Sequence, residues 1–351
     1  MKEINKNASY TALVFGGKGY EHDVSRMGAA NFILTAERIG LGLLPVYINK
    51  DGDFFVYLGD IPKIADISAP LPENELTPSF PIRLRGNSGF YTDGGIIPIS
   101  RAIPLLHGDF GEDGRVQGLF ESAGIELFGA DTLTGALCCD KAYSKAVARE
   151  AGVETLPSLV LDKRYFDFDE TLANAVRDFG FPVIVKPCRL GSSVGVSLAK
   201  CKEEFTNSLE KAFCVAERVL VEPALLNKRE IECAYYADTE REIVSLPGEV
   251  VSGGELYDYE LKYGESEKIA LMPKADLNED VRREIILKTK ALARAFSVRH
   301  VARFDYFLLP SGKIYFNEVN TFPGMTSGSL YAAMLNEMGF SFEELVRAAV
   351  L

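Results

Sequence analysis

The sequence predicts an α/β protein built on a largely parallel sheet and extended into further α/β units. Three observations carry that reading. Short apolar, β-rich runs alternate with segments of helical periodicity. Several of these runs end in glycine, as in TALVFGG (11–17) and RAIPLLHG (101–108). A chain of 351 residues is too long for one small core, so two or three domains are expected.

The elements follow in order. In a first unit, 1–130, TALVFGG is a buried strand and Ser25 to Ile39 is helical. LLPVYINK and GDFFVYLG are the next strands, and residues 67–90 form a polar, proline-rich loop. RAIPLLHG is a strand, and GRVQGLFESAG a helix. A second unit, 131–226, opens with the helical stretch DTLTGALCCDKAYSKAVAREAG. LPSLVLD, a helix at 167–179, the strand PVIVKP, the loop RLGSSVG, VSLAK, a helix near 202–213 and the strand RVLVEPAL complete it. A third unit, 227–351, holds strands EIECAYY and EIVSLPGEV and a tyrosine-rich polar loop. A helix at 278–296, a hairpin and a C-terminal helix follow.

Composition excludes several function classes. A net charge of -12 argues against nucleic acid as a partner, because phosphate backbones need a basic footprint. No apolar run reaches the ~20 residues of a membrane span, and the N-terminus reads as a first strand rather than a signal peptide. The six cysteines form no CxxC and the three histidines are far apart. That suits a reduced cytoplasmic protein with neither disulfides nor zinc.

The hairpin ARFDYFLLPSGKIYFNEVNTFPG carries the first chemical signal. A turn centred on Ser311 and Gly312 sets Asp305 opposite Glu318 and Arg303 opposite Asn320. Alternation puts all four on one face with Phe307, Leu309, Ile314 and Phe316, so that face is expected to be buried. Adjacent buried carboxylates need a cation. Oxygen-only donors suit Mg²⁺ held jointly with substrate phosphates. The competing reading is a solvated face neutralised by Arg303.

Phosphates need donors. GSSVG (191–195) follows a strand and can form an anion nest, with Lys186 just before it. By itself such a loop is usually a turn. Lys141 and Lys262 are further candidates. There is no GxxxxGK[ST] and no GxGxxG after the first strand, which excludes a Walker loop and leaves a dinucleotide dehydrogenase unsupported. In Thr321-Phe322-Pro323-Gly324 a glycine N–H after a strand can face a developing oxyanion.

Together LVFGGKGYEHDVS, PLLHGDFGEDGRVQGLFESAGI, Cys139-Asp140-Lys141, VKPCRLGSSVGV, YDYELKY, ARFDYF and NEVNTFPGMTS resemble the D-alanine–D-alanine ligases over nearly the whole chain. The resemblance implies a three-domain ATP-grasp fold with a Rossmann-like N-terminal domain. It implies ATP, two Mg²⁺ ions with Mn²⁺ as a substitute, D-alanine as substrate, and a homodimer. Asp305, Glu318 and Asn320 match the metal ligands, and Lys141, Lys186 and Lys262 the lysines on ATP phosphates. Glu222 and Leu225 match the adenine hinge, and Glu230 the ribose contact. Glu21 matches the residue that holds the first ammonium; Glu21, Ser192 and Tyr263 match a trio that closes the tyrosine-rich loop. Arg303 and the Gly324 N–H match the groups around the tetrahedral intermediate. Ser329 and Leu330 match positions at the second carboxylate, and His107 a substrate-side or structural histidine.

The implied reaction joins two D-alanines through an acyl phosphate, for peptidoglycan precursors. Related resistance enzymes take D-serine or D-lactate second, and here Tyr263 and Leu330 look like the D-alanine type. Leu190 departs from the small or polar residue common before GSSVG. A D-alanine–D-serine ligase and a non-catalytic ATP-binding module are the alternatives.

Overall fold

In a computed structural model the described residues are 5, 8–84, 86–251, 270–326 and 328–351. They form three sheets. The first contains β1 (Tyr10–Gly16), β2 (Leu44–Ile48), β3 (Phe54–Tyr57), β4 (Leu76–Leu84), β5 (Asn87–Thr92), β6 (Gly95–Pro104) and β7 (Glu126–Leu127). β2, β1, β6 and β7 lie parallel. β3, β4 and β5 are antiparallel additions, so the sheet is mixed rather than largely parallel. The stretch expected to be a loop at 67–90 supplies β4 and the start of β5. Pro78 and Pro81 argued against a strand there, yet they pair across from Phe55 and Phe90. The Asp93-Gly94-Gly95 corner then turns the chain back into β6.

Helices α1 (His22–Arg38), α2 (Ile61–Ala65), α3 (Gly108–Gly111) and α4 (Arg115–Ser122) accompany this sheet. The helical stretch after residue 131 is two helices, α5 (Thr132–Cys139) and α6 (Lys141–Glu150). Asp140 breaks them with extended backbone and caps α6 by accepting from the N–H groups of Ala142 and Tyr143. Lys141 is therefore the first residue of a helix. The four-stranded sheet runs β10 (Ser197–Ala199), β9 (Val183–Pro187), β11 (Arg218–Pro223), β8 (Leu159–Asp162). It is backed by α7 (Phe168–Asp178) and α8 (Lys202–Val215).

The third sheet holds β12 (Arg229–Ala237), β13 (Glu242–Val244), β14 (Gly248–Val251), β15 (Ala270–Met272), β16 (His300–Leu308) and β17 (Ile314–Asn320). EIVSLPGEV, read as one strand, is two, interrupted around Pro247. After β15 come α9 (Glu279–Ala295), the β16–β17 hairpin, α10 (Leu330–Asn336) and α11 (Phe342–Val350). Residues distant in sequence share one core: Leu13, Phe15, Phe32 and Ile64 with Tyr331, Leu345, Val346 and Ala349. The rings of Phe32 and Phe342 meet edge to face at 5.9 Å.

The hairpin turns on Ser311 rather than between Ser311 and Gly312, with Leu308 opposite Ile314 and Gly312 in the left-handed region. Arg303 faces Asn320 and Asp305 faces Glu318. Beyond Asp305 the register slips by one, so Tyr306 faces Phe316 and Leu308 faces Ile314. Asn317 is the extra residue of a bulge. This corrects the expected face. Ile314 and Phe316 belong to the core with Phe304 and Tyr306, not to the face of Asp305. The functional face instead carries Arg303, Asp305 and Phe307, Glu318 and Asn320, and, across on β12, Glu230 and Glu232. It is polar and partly open: the side chains of Asp305 and Glu318 are 15% and 23% exposed.

Candidate active site

Arg303 is the hub of this face. Its Nε and one terminal nitrogen make a bidentate contact with Asp305 at 2.8 and 2.7 Å, and Nε lies 3.1 Å from Glu232. Burial opposes its charge, but Asp305 and Glu232 outweigh burial and hold its pKa well above the ordinary value. Asn320 donates to Asp305 at 3.1 Å. Opposite Asp305, Glu318 lies 3.1 Å from the ammonium of Lys141. Lys141 also donates to the Leu190 carbonyl at 2.8 Å. Burial works against its charge, and Glu318 more than restores it, so its pKa is raised.

The donor set tests whether a metal fits. Among the described residues, no three His, Cys, Asp or Glu side chains cluster to hold an ion. Asp305, Glu318 and Asn320 are two carboxylates and an amide, all oxygen donors on one face, which suits a hard dication completed by phosphate oxygens.

The loop 191–195 turns sharply. Ser192 and Ser193 have φ of 47° and 59°. The Ser192 hydroxyl donates to Glu21. Glu21 sits at the N-cap of α1 but its side chain makes no cap bond. It reaches instead between Gly108 and Gly191, where an added Cβ would stand 2.8 and 2.9 Å from Glu21 Oε2. Those two glycines make room for the carboxylate.

Lys186 and Glu222 lie on neighbouring strands β9 and β11, 2.7 Å apart. Glu222 is also 2.6 Å from Lys145 of α6. The Glu222 carboxylate is thus committed to two lysines, in addition to the adenine contact that the resemblance implies. Burial pushes its pKa up, and the two ammonium groups bring it below the usual value. Lys186 further reaches Asn317 at 3.3 Å. Leu225 is half-buried just past β11. Glu230 pairs with Lys228.

At the exit of β17 the turn 321–324 is clamped from the first sheet's side. Glu112 Oε1 accepts from Thr321 N–H at 2.9 Å, Thr321 hydroxyl at 3.1 Å and Phe322 N–H at 3.0 Å. Its other oxygen accepts from Gly108 N–H at 2.9 Å. Pro323 has no N–H, so Gly324 carries the first N–H of the turn that Glu112 does not take. His107 donates from Nδ1 to the Phe322 carbonyl at 3.0 Å, and among the described residues its buried Nε2 has no hydrogen-bond partner. Ser329 donates to the Gly324 carbonyl. The Leu330 side chain is buried in the core shared by the first and last segments. Lys262 and Tyr263 lie outside the described residues.

The fold therefore brings together Lys141, Arg303, Asp305, Glu318 and Asn320, and separately Glu21 with Ser192, His107 with the 321–324 turn, and Lys186 with Glu222. Sequence reasoning missed Glu112, Lys145, Glu232 and Asn317. Glu112 lay within HGDFGEDG, whose acids carry no spacing that points to a turn 209 positions away. Lys145 stands four residues after Lys141, the one spacing that could have flagged it.

Residues 10–130 match the family model "D-ala D-ala ligase N-terminus", and residues 147–350 match "D-ala D-ala ligase C-terminus". A D-alanine–D-alanine ligase of Caldicellulosiruptor bescii is 34% identical over 346 residues, covering 95% of this chain and 92% of that protein. One of Treponema denticola is 32% identical, covering 95% and 93%. Among solved structures, the VanG D-Ala:D-Ser ligase of Enterococcus faecalis is 30% identical with a TM-score of 0.86, covering 97% of both chains. The D-alanine–D-alanine ligase of Coxiella burnetii is 25% identical with a TM-score of 0.83, covering 97% and 92%. The fold is that of these ATP-grasp ligases, and the chain belongs to the D-alanine–D-alanine ligase family.

Proposed function

We propose that the protein joins two D-alanine molecules at the expense of ATP, supplying D-alanyl-D-alanine for peptidoglycan. The observation that carries this is the convergence of Lys141, Arg303, Asp305 and Glu318 beside the Gly324 turn. Phosphoryl transfer needs charge neutralisation and alignment more than covalent help. Lys141 and Lys186 neutralise phosphate oxygens, with Lys262 from the tyrosine-rich loop. Leu225 and Glu222 border the adenine, and Glu230 the ribose. Asp305, Glu318 and Asn320 would hold Mg²⁺ ions, which supply charge neutralisation at the phosphates when bound.

Glu21 accepts the ammonium of the first D-alanine, and Ser192 with Tyr263 ties the covering loop to it. The first carboxylate attacks the γ-phosphorus, and the acyl phosphate and ADP form. The second D-alanine's amine then attacks the acyl carbon. Arg303 and the Gly324 N–H stabilise the tetrahedral oxyanion before phosphate leaves. His107 Nε2, in the tautomer that donates from Nδ1, is an acceptor toward the substrates. Ser329 and the Leu330 backbone receive the second carboxylate. A closed loop excludes water, which would hydrolyse the acyl phosphate. The division at residues 130 and 226 is supported by one sheet in each unit. A cytoplasmic homodimer accompanies the reading; among the described residues no helix is long and apolar enough to cross a membrane.

The likeness to the VanG D-Ala:D-Ser ligase motivates a second reading, with D-serine as the second substrate. Phosphate release from Mg·ATP with D-alanine alone, with the dipeptide identified by mass, supports the main reading. Release only when D-serine is added moves the assignment to the serine type. No release with any D-amino acid sinks both.

A further inference from the structure

Lys145 is fully buried, and its ammonium is the deepest charge beside the site. A lysine in such a place needs a reason. Burying an ion costs several kcal/mol even after pairing, and apolar replacements of buried ion groups are often neutral or stabilising. Its ammonium stands 2.6 Å from Glu222 Oε1, and among the described residues neither atom has another polar partner. The contact is one of charge. The other oxygen of Glu222 holds Lys186 at 2.7 Å, and Lys186 reaches Asn317, the bulge residue next to Glu318. A chain of contacts therefore runs from α6 through β11 and β9 to β17.

The sequence of signs matters. Glu222 and Lys186 alone would form a neutral pair, and Lys186 would have little attraction left for a polyanion. Lys145 shares the charge of Glu222, so the buried group has a net charge of plus one at the face where Lys186 stands. We propose that Lys145 is a positioning residue of the nucleotide site: by neutralising Glu222 it leaves the Lys186 ammonium charged toward the triphosphate and fixed between Glu222 and Asn317. The inference rests on the ligase reading for the identity of the nucleotide, but it is tested by nucleotide binding without turnover.

The experiment measures ATP affinity by calorimetry and the KM for D-alanine in the full-length protein. Lys145→Met should weaken ATP binding about tenfold to a hundredfold, the usual cost of leaving one member of a desolvated charge group unpaired. The KM for D-alanine should stay within about twofold, because Lys145 touches nothing on the amino-acid side. The decisive variant is Lys145→Met with Glu222→Gln. It removes both charges and frees Lys186 from an uncompensated carboxylate, so it should bind ATP more tightly than Lys145→Met alone. A purely structural role predicts additive losses instead. Unchanged ATP affinity in Lys145→Met, with or without a lower melting temperature, overturns the proposal. Should that variant not fold, Lys145→Gln decides: a loss of ATP affinity beyond about fivefold supports the proposal, and a smaller one overturns it. Absence of dipeptide synthesis while Lys145→Met still weakens ATP binding defeats the ligase reading and leaves the proposal standing.

Discussion

At the residue scale, Glu318 and Glu112 show two ways a carboxylate can serve one reaction. Glu318 faces the cleft beside Lys141. Glu318→Ala should cost about a hundredfold or more in turnover, the scale of removing one preorganised electrostatic group, with a circular dichroism spectrum like the wild type's. Full turnover by that variant would refute the metal reading of the hairpin. Glu112 touches the reaction through the turn that it holds. A glutamine there has one acceptor oxygen where Glu112 uses two, so one of the clamped N–H groups loses its partner. Glu112→Gln should lower kcat about a hundredfold by displacing Gly324, with ATP affinity unchanged. The asymmetry between the two residues also marks what the sequence makes legible. Asp305, Glu318 and Asn320 are close along one hairpin, and the arithmetic finds their pairing because the bulge offsets a turn centred on Ser311. Glu112 and Thr321 are 209 positions apart, and no local pattern announces such a pair.

At the element scale, the informative feature is the bulge in β17. Hairpin arithmetic from the turn assumes an uninterrupted ladder. It places Asp305 opposite Glu318, as found, but misassigns Ile314 and Phe316, because one extra residue reverses which side chains face inward. A bulge at Asn317 has no composition signal, as asparagine is common in turns and at strand ends alike. The bulge lets one short strand put Ile314, Phe316 and Val319 into the core while Glu318 and Asn320 face the cleft. Deleting Asn317 should restore strict alternation with Ile314, Phe316 and Val319 still inward and Glu318 still opposite Asp305, so it removes chiefly the contact to Lys186. ATP affinity by calorimetry should fall about tenfold, with the urea midpoint close to that of the wild type. Unchanged ATP affinity would show that Asn317 does nothing for Lys186. Similar reasoning explains the misread stretch 67–90: its prolines fit strands whose side-chain order and edge contacts tolerate them.

At the scale of the whole molecule, contacts between distant segments decide how it responds to pH. His300 opens β16 and its Nδ1 accepts the Gly129 N–H at 3.0 Å, while its ring packs on Phe128 at 4.5 Å. Burial is the main cause of a pKa below 6.5, and Nδ1 keeps the Gly129 N–H only while the ring is neutral. His22 is lowered likewise by burial. For both, the unfolded chain takes up a proton before the folded one as pH falls. Their contribution to stability is complete above pH ~6.5 and is lost progressively below it. Melting temperature should therefore fall from pH 7.5 to 5.5, and His300→Asn should fall less over that interval, since asparagine can accept the same N–H without titrating. Parallel pH curves for the two proteins would remove His300 from this account.

The core shared by the first and last segments has a consequence in time. Ile64 lies against a cluster that includes Leu345 and Ala349. During synthesis at ~5–20 residues per second, the first sheet, complete at Leu127, waits roughly 11–45 s for the helix that covers its flank, which ends at Val350. An unfinished chain on the ribosome thus exposes an oily face late into translation. Its site is incomplete until the β16–β17 hairpin and the 321–324 turn have emerged, and the flank of the first sheet stays uncovered for longer still.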